Sequence, residues 1–83
     1  MISITAAVAA EMTRRGFVTQ LTAREIDVLS LAATGHSNKR IGVKLSINED
    51  TVKGHMTSIL AKLGASDRTH AVTLALRRGI IEL

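Results

Sequence analysis

The sequence predicts an all-α domain, and three observations lead to this fold class. Hydrophobic residues make up 46% of the 83 residues, but Phe17 is the only aromatic one. The core must therefore consist of aliphatic side chains, which suits packed helices better than a β-sandwich. Proline is absent, so no residue interrupts a helical pattern. Apolar residues recur at the three- and four-residue spacing of amphipathic helices.

The first predicted helix runs from Ala23 to just before Gly35. Thr22 and Glu25 have the spacing of a capping box, in which each side chain bonds the backbone N–H of the other residue. Leu21, before the cap, is placed to form a hydrophobic staple with the first turn. Gly35 stands where helices commonly end in a left-handed conformation. Between these signals the apolar residues keep helical spacing, at Ile26, Leu29 and Ala33.

Two further helices follow, and only three residues separate them. Ser37 is placed to cap the first of the pair, which is expected to end near Leu45, and Asn48 is placed to cap the second. The second helix of the pair, residues 49–63, has an apolar side and a polar side. The apolar side consists of Val52, Met56, Ile59, Leu60 and Leu63, and the polar side of Asp50, Lys53, Gly54, Thr57, Ser58 and Ala61.

The fourth predicted helix starts near Asp67 and ends near Arg78. Its cations there interact favourably with the negative C-terminal end of the helix dipole. Arg68, near its start, is expected to bond back to a loop carbonyl rather than to contact a partner. Before the first helix, residues 6–15 fit a further helix. The expected organisation is a linker or leader helix over residues 1–20 and one folded domain over residues 21–83, since a chain of this length forms a single core.

Composition excludes several classes of protein. Without cysteine the chain has no disulfide framework and no thiolate metal site. The histidines, His36, His55 and His70, lack metal-ligand spacing, so neither a metal nor another cofactor is expected. No nucleophile–base pair, paired carboxylates or glycine-rich phosphate loop is recognisable, so no enzymatic activity is expected. No apolar run approaches the ~20 residues of a membrane span, and a cytoplasmic location is expected.

Charge and turn length together indicate a polyanionic partner. The net charge is +4, and Lys39, Arg40 and Lys44 make the exposed side of the shorter helix basic. In a sharply joined helix pair of this kind, the first helix can cross the phosphate backbone of DNA while the second enters the major groove. Small or polar residues on the second helix let its backbone approach the bases. A solvated face on an ordinary helical bundle is the alternative interpretation.

Several short motifs resemble one family of regulators. They are Leu21–Glu25, Ser37–Lys39, Thr51–His55, Lys62–Gly64 and Arg68–Thr69. In one register over residues 21–81, they are similar to the LuxR-type helix-turn-helix domain of NarL/FixJ response regulators and GerE-like regulators. The leader is similar to the linker that follows the receiver domain in response regulators. The resemblance implies a four-helix bundle that forms the C-terminal output domain of a two-component response regulator.

The resemblance also implies roles for individual residues. It implies a homodimer that pairs through its last helix and binds double-stranded DNA through helix 49–63, with a receiver domain and RNA polymerase as partners of the full-length protein. The residues at base-facing positions are Asp50, Lys53, Gly54 and Thr57. Those at phosphate-facing positions are Ser37, Asn38, Lys39, Thr51 and Lys62, and the candidates for the dimer seam are His70, Thr73 and Arg77.

Two residues depart from the pattern of the family. Arg40 stands where Glu is frequent, and Gly54 stands where Val or Asn often reaches a base. Gly54 either lets the backbone sit closer to a thymine methyl group or forfeits a contact, and the choice stays open. Asp50 either serves the helix dipole or accepts from a cytosine amino group. The DNA sequence recognised does not follow from these residues.

A function of a different class also stays open, a protein-interaction module that keeps the helix-turn-helix shape and docks on polymerase or a sensor. DNA binding requires basic residues on the groove-facing side, whereas a docking module tolerates their scatter. Residues 37–53 include four cations and two anions. The helix dipole accounts for the two anions, Glu49 and Asp50, so the distribution favours DNA.

Overall fold

The computed structural model describes residues 21–83 of the chain. This part contains four α-helices and no strand: α1 Ala23–Ala33, α2 Asn38–Leu45, α3 Glu49–Leu63 and α4 Arg68–Arg77. The predicted all-α fold class and the four helices are therefore confirmed, whereas the predicted leader helix lies outside the described residues. None of these four helices is long and apolar enough to cross a lipid bilayer.

All four helices begin at a residue whose side chain caps the first turn. In each case the side-chain oxygen accepts a hydrogen bond from the backbone N–H three residues later, and such a cap contributes about 1 kcal/mol to stability. Three of the caps match those predicted for the first three helices, and the fourth lies at the predicted start of α4. The caps are Thr22, Ser37, Asn48 and Asp67, with distances of 3.1, 3.2, 2.7 and 2.8 Å.

The core is aliphatic, and α3 is its central element, because α3 packs against each of the other three helices. Four of the five residues of the predicted α3 stripe are buried, and Leu60 is only half-buried. Two residues that follow α4 fold back into the same core. The buried apolar residues are Leu21, Val28, Leu29, Ile41, Val52, Met56, Ile59, Leu63, Ala71, Ala75, Ile80 and Ile81.

The turn between α2 and α3 depends on a close approach of two backbone segments. A Cβ atom at Gly42 would lie 2.6 Å from the carbonyl oxygen of Ile47. The Gly42 carbonyl accepts a hydrogen bond from the Ile47 N–H at 2.9 Å. Ser46, between them, closes α2 with a left-handed φ of 59°. Only glycine fits at position 42 without a shift of the turn, so this residue sets how tightly α3 follows α2.

We expect Gly42→Ala to lower the free energy of unfolding by about 1–3 kcal/mol, because the added methyl group has to displace backbone atoms. Gly54→Ala is the matched control, since a Cβ atom there has no neighbour within 4 Å. In an exposed helix this control should raise stability by about 0.5–1 kcal/mol. Urea unfolding followed by circular dichroism measures both values. Equal effects of the two substitutions would contradict the role assigned to Gly42.

Candidate nucleic-acid interface

The side of α3 that points away from the core carries the four residues predicted to face bases. Asp50, Lys53, Gly54 and Thr57 are all exposed. Their spacing of three, one and three residues places them on one face of the helix. Burial of Gly54 and Thr57 under other side chains would have excluded a duplex from this face, and neither residue is buried. We call these four residues the α3 face.

The α3 face offers a limited set of chemical groups. The Thr57 hydroxyl donates to the Lys53 carbonyl oxygen at 3.0 Å, so its lone pairs and methyl group remain for a partner. Above Gly54 there is open space, which leaves the helix backbone accessible. Asp50 lies in the first turn, where its charge also complements the helix dipole. Lys53 therefore supplies the only cation of this face.

The phosphate-facing candidates gather mainly at the start of α2. Ser37 caps this helix and is exposed, Lys39 is exposed, and Asn38 is half-buried. The first backbone N–H groups of a helix have no partner inside the helix and attract anions. A shallow cavity lies beside this helix end and is lined by Thr34, Gly35, His36 and Arg40. Within residues 21–83, the start of α2 thus combines the Asn38 and Lys39 N–H groups, which have no partner inside the helix, with two exposed cations.

Arg68 connects the start of α4 to the start of α2. Its guanidinium donates to the His36 carbonyl oxygen and to Asn38 Oδ1. The expectation that Arg68 bonds back to a loop carbonyl is therefore confirmed. The second acceptor, Asn38, was not foreseen, because Asn38 was assigned only as a phosphate contact. Its side-chain amide group still has both N–H donors available.

Lys62 has an intramolecular partner that sequence reasoning missed. Its ammonium nitrogen lies 2.8 Å from Glu25 Oε1, and the Glu25 side chain is only 4% exposed. Glu25 also accepts from the Thr22 N–H at 2.8 Å, as its capping box requires. A carboxylate buried this deeply needs a cation, but the burial of Glu25 is visible only in the structure, so the sequence offered no signal for the pair. The predicted phosphate contact of Lys62 stays a prediction, now for a lysine whose charge is already paired.

The environment of Glu25 sets its protonation. Burial raises the pKa of this carboxyl group, but hydrogen bonds from Lys62 and the Thr22 N–H, with the Lys62 charge, lower it more. The net result lowers the pKa from 4.5 to about 2. Glu25 is therefore ionised at neutral pH. The pair joins α1 to the C-terminal half of α3, 37 residues further along the chain.

The three candidates for a dimer seam lie along one side of α4. His70 and Arg77 are exposed, and Thr73 is half-buried. His70 Nδ1 accepts from the Ser66 N–H at 3.0 Å, and the Thr73 hydroxyl donates to the Thr69 carbonyl at 3.1 Å. Their spacing of three and four residues places all three side chains within reach of one partner surface. Pairing through this side stays a prediction.

Two histidines of the described range, His36 and His70, make local contacts. Besides the His70 contact, His36 Nδ1 lies 3.1 Å from the Leu31 carbonyl oxygen. Between residues 21 and 83, no three His, Cys, Asp or Glu residues form a cluster suited to a metal ion.

Two capped helices joined by three residues, with the outer face of the second left bare, define a helix-turn-helix domain. The family profile named GerE, described as "Bacterial regulatory proteins, luxR family", matches residues 19–75. The chain belongs to this family. Membership confirms the resemblance seen in the sequence. It also confirms the expectation that the chain is not an enzyme, because this is a family of DNA-binding regulators.

Curated relatives and a solved structure agree with this assignment. The transcriptional regulatory protein YdfI of Bacillus subtilis is 48% identical over 65 residues, DegU of Brevibacillus brevis 44% over 63, and LiaR of B. subtilis 49% over 61. These alignments cover 74–78% of this chain but only 27–30% of the relatives. The structure of the transcription factor GerE matches with a TM-score of 0.72 at 37% identity, over 75% of this chain and 92% of GerE.

The lowered pKa of Glu25 predicts how stability depends on pH. The ionised form is favoured by the fold, so the contribution of Glu25 is complete above its unfolded pKa near 4.5 and is lost as the pH falls towards 2. The loss should be on the order of 3 kcal/mol. Glu25→Gln removes the charge and keeps an oxygen for the Thr22 cap. Urea unfolding at several pH values should show wild type more stable at pH 7, with the difference closing by pH 2. A difference that does not change with pH would contradict the prediction.

Proposed function

We propose that this chain is a sequence-specific DNA-binding domain of a bacterial transcription regulator and that it reads the major groove with α3. The observation that carries the proposal is the α3 face, which is exposed over two turns and has only small or flexible side chains. An α-helix fits the major groove when its outer side chains leave the backbone room to approach. Bulky residues on this face would have made the proposal untenable.

The roles on the α3 face follow from the chemistry of the base edges. Lys53 is placed to donate to O6 and N7 of guanine, whose acceptors are the usual targets of basic side chains. Thr57 offers its lone pairs to an amino group or its methyl group to thymine. Gly54 brings the helix backbone close to the bases. Asp50 complements the helix dipole and can accept from the amino group of cytosine.

The contacts with the phosphates come mainly from α2, the helix that precedes α3. The unpaired N–H groups at the start of α2, with Ser37, Asn38 and Lys39, are suited to phosphate oxygens. Thr51, in the first turn of α3, is exposed and extends this set. Lys62 completes it at the other end of α3. Such contacts fix the position of the domain on the duplex but do not select sequence.

The proposal extends to the protein in which this domain acts. The relatives described as transcriptional regulatory proteins align with this chain over less than a third of their own length. This supports an output domain attached to a receiver domain. In this arrangement two domains pair through α4, at His70, Thr73 and Arg77, and read two half-sites. RNA polymerase is the further partner expected of a transcription regulator, and the cytoplasm its location.

The alternative, a docking module for another protein, has one observation in its favour. Val43 on α2 is 76% exposed, and an apolar residue on this helix can contact a protein. Single exposed apolar residues are nevertheless common on protein surfaces. DNA titration separates the two functions, because a docking module binds a selected duplex no better than a random one.

Two lysines should affect DNA binding in different ways. Lys53→Ala is expected to weaken binding to a duplex selected from a random pool by about 1–3 kcal/mol, because it removes a base contact. Lys39→Ala should weaken selected and random duplexes equally and flatten the salt dependence by about one unit, because it removes a phosphate contact. Gel-shift titrations at two salt concentrations measure both. Arg78→Ala, at the exposed end of α4, controls for loss of one positive charge. Unchanged affinity in either lysine variant would refute that contact.

Dimerisation through α4 is tested separately. Arg77→Glu reverses a charge at the predicted seam and should shift the protein towards monomer, because both copies of a two-fold interface then present an anion where the partner surface accommodates a cation. Sedimentation velocity measures the shift, and circular dichroism checks that the monomer stays folded. Arg78→Glu makes the same charge change next to the seam. Equal behaviour of the two variants would argue against the assigned seam.

A further inference from the structure

We propose that Arg68 is a positioning residue for DNA binding, which acts through Asn38 and the entrance to α2 without touching the duplex. The proposal rests on the proposed function. It assigns to a half-buried arginine of α4 a role in the phosphate contacts of another helix. The three observations behind it are the separation of the two helices, the chemistry of the Asn38 amide, and the position of His36.

The side chain of Arg68 bridges two helices that do not pack on each other. In the described part of the chain, no Cα atom of α2 lies within 8 Å of a Cα atom of α4. The guanidinium nevertheless reaches acceptors 30 and 32 residues earlier in the chain. The link is therefore carried by a long side chain and depends on the residue at position 68. An arginine can span this gap and bond two acceptors at once with its planar donors.

The bond to Asn38 decides what this side chain presents to a partner. An amide has an acceptor end and a donor end, and either can point outward when nothing holds it. Arg68 has only donors, so it binds the oxygen of Asn38 and leaves the NH₂ group for a phosphate. Without Arg68, Asn38 would lose this orientation and could turn its oxygen towards the phosphate, which repels it. The arginine thus makes Asn38 a donor in advance of binding.

The bond to His36 acts on the backbone at the same place. His36 directly precedes Ser37, the cap of α2. Holding the His36 carbonyl fixes the chain where it enters α2 and therefore fixes the aim of the first N–H groups of the helix. Contacts arranged before binding cost less conformational entropy when the complex forms. Arg68 accordingly steadies both sources of phosphate donors at this helix end.

A direct phosphate contact by Arg68 is the competing explanation, and salt dependence separates the two. A cation that contacts a phosphate releases counterions, so its removal flattens the salt dependence by about one unit. Asn38 is neutral, so its contact with a phosphate releases no counterions, and loss of this contact does not change the salt dependence. If Arg68 acts through Asn38, its removal should lower affinity at every salt concentration and leave the slope unchanged.

The experiment measures the affinity of the full 83-residue chain for a selected duplex over a series of salt concentrations. Arg68→Gln should bind about tenfold more weakly with an unchanged slope, a loss typical of one well-made hydrogen bond. Arg68→Lys keeps the charge but not the planar pair of donors, and should lose nearly as much. Arg78→Gln removes an equal charge at the far end of α4 and should bind within about twofold of wild type, as an isolated surface charge does.

A double substitution tests whether Arg68 acts through Asn38. Asn38→Ala alone should weaken binding about as much as Arg68→Gln. The affinity of the double variant should lie within about twofold of the weaker-binding single variant, because the effects of substitutions in one chain of contacts do not add. Additive losses, a flattened slope in Arg68→Gln, or wild-type affinity in Arg68→Lys would each overturn the proposal.

Two controls keep the result interpretable. If circular dichroism shows that Arg68→Gln does not fold, the Asn38→Ala variant is measured instead, since it leaves the bond between Arg68 and His36 in place. Wild-type affinity of the Asn38→Ala variant overturns the proposal. If wild type prefers a selected duplex and the Arg68 variants do so equally well, only the role of Arg68 is refuted. If wild type selects no duplex, the proposed function fails and this inference fails with it.

Discussion

The third helix buries four of the five residues of its apolar stripe while its opposite side stays exposed, and the other three helices supply the surfaces on which that stripe packs. Its apolar side packs on the three other helices described between residues 21 and 83, and none of these helices covers the α3 face. Burial of aliphatic side chains supplies the main stabilisation, at about 25 cal/mol per Å² of apolar surface. The exposed α3 face therefore contributes little to stability, so its residues are not constrained by packing.

Three links fix where that bare side points. At its start, the close approach of Gly42 and Ile47 sets the angle between α2 and α3. Near its end, the pair of Glu25 and Lys62 ties α3 to the first turn of α1. Arg68 then links the entrance of α2 to the start of α4 through its hydrogen bonds. Each link is polar or backbone in character, so each has a defined direction, which apolar packing alone lacks.

Local sequence signals predicted the helices, whereas the contacts between residues far apart in the sequence were not predictable. The caps at Thr22, Ser37 and Asn48 follow from residue type at fixed short spacing, and so does the buried stripe of α3. The Glu25–Lys62 pair joins residues 37 apart, and no periodic pattern encodes such a pairing. Gly42 was missed for a related reason, because a glycine inside a helix shows its purpose only once the packed neighbour is known. The exposed α3 face was predictable because it lies on the side of the helix opposite the buried apolar stripe.

The same contacts divide the cations of the domain into two kinds. Lys39 and Lys53 are exposed, and a duplex that binds them displaces counterions, which favours association at low salt. Lys62 faces a carboxylate whose pKa lies far below neutral pH, so the pair as a whole is neutral. Arg68 donates from both terminal nitrogens to acceptors within the protein. A count of basic residues therefore overstates the electrostatic grip of this domain, since some of its positive charge holds the fold in the shape that the remaining charge requires.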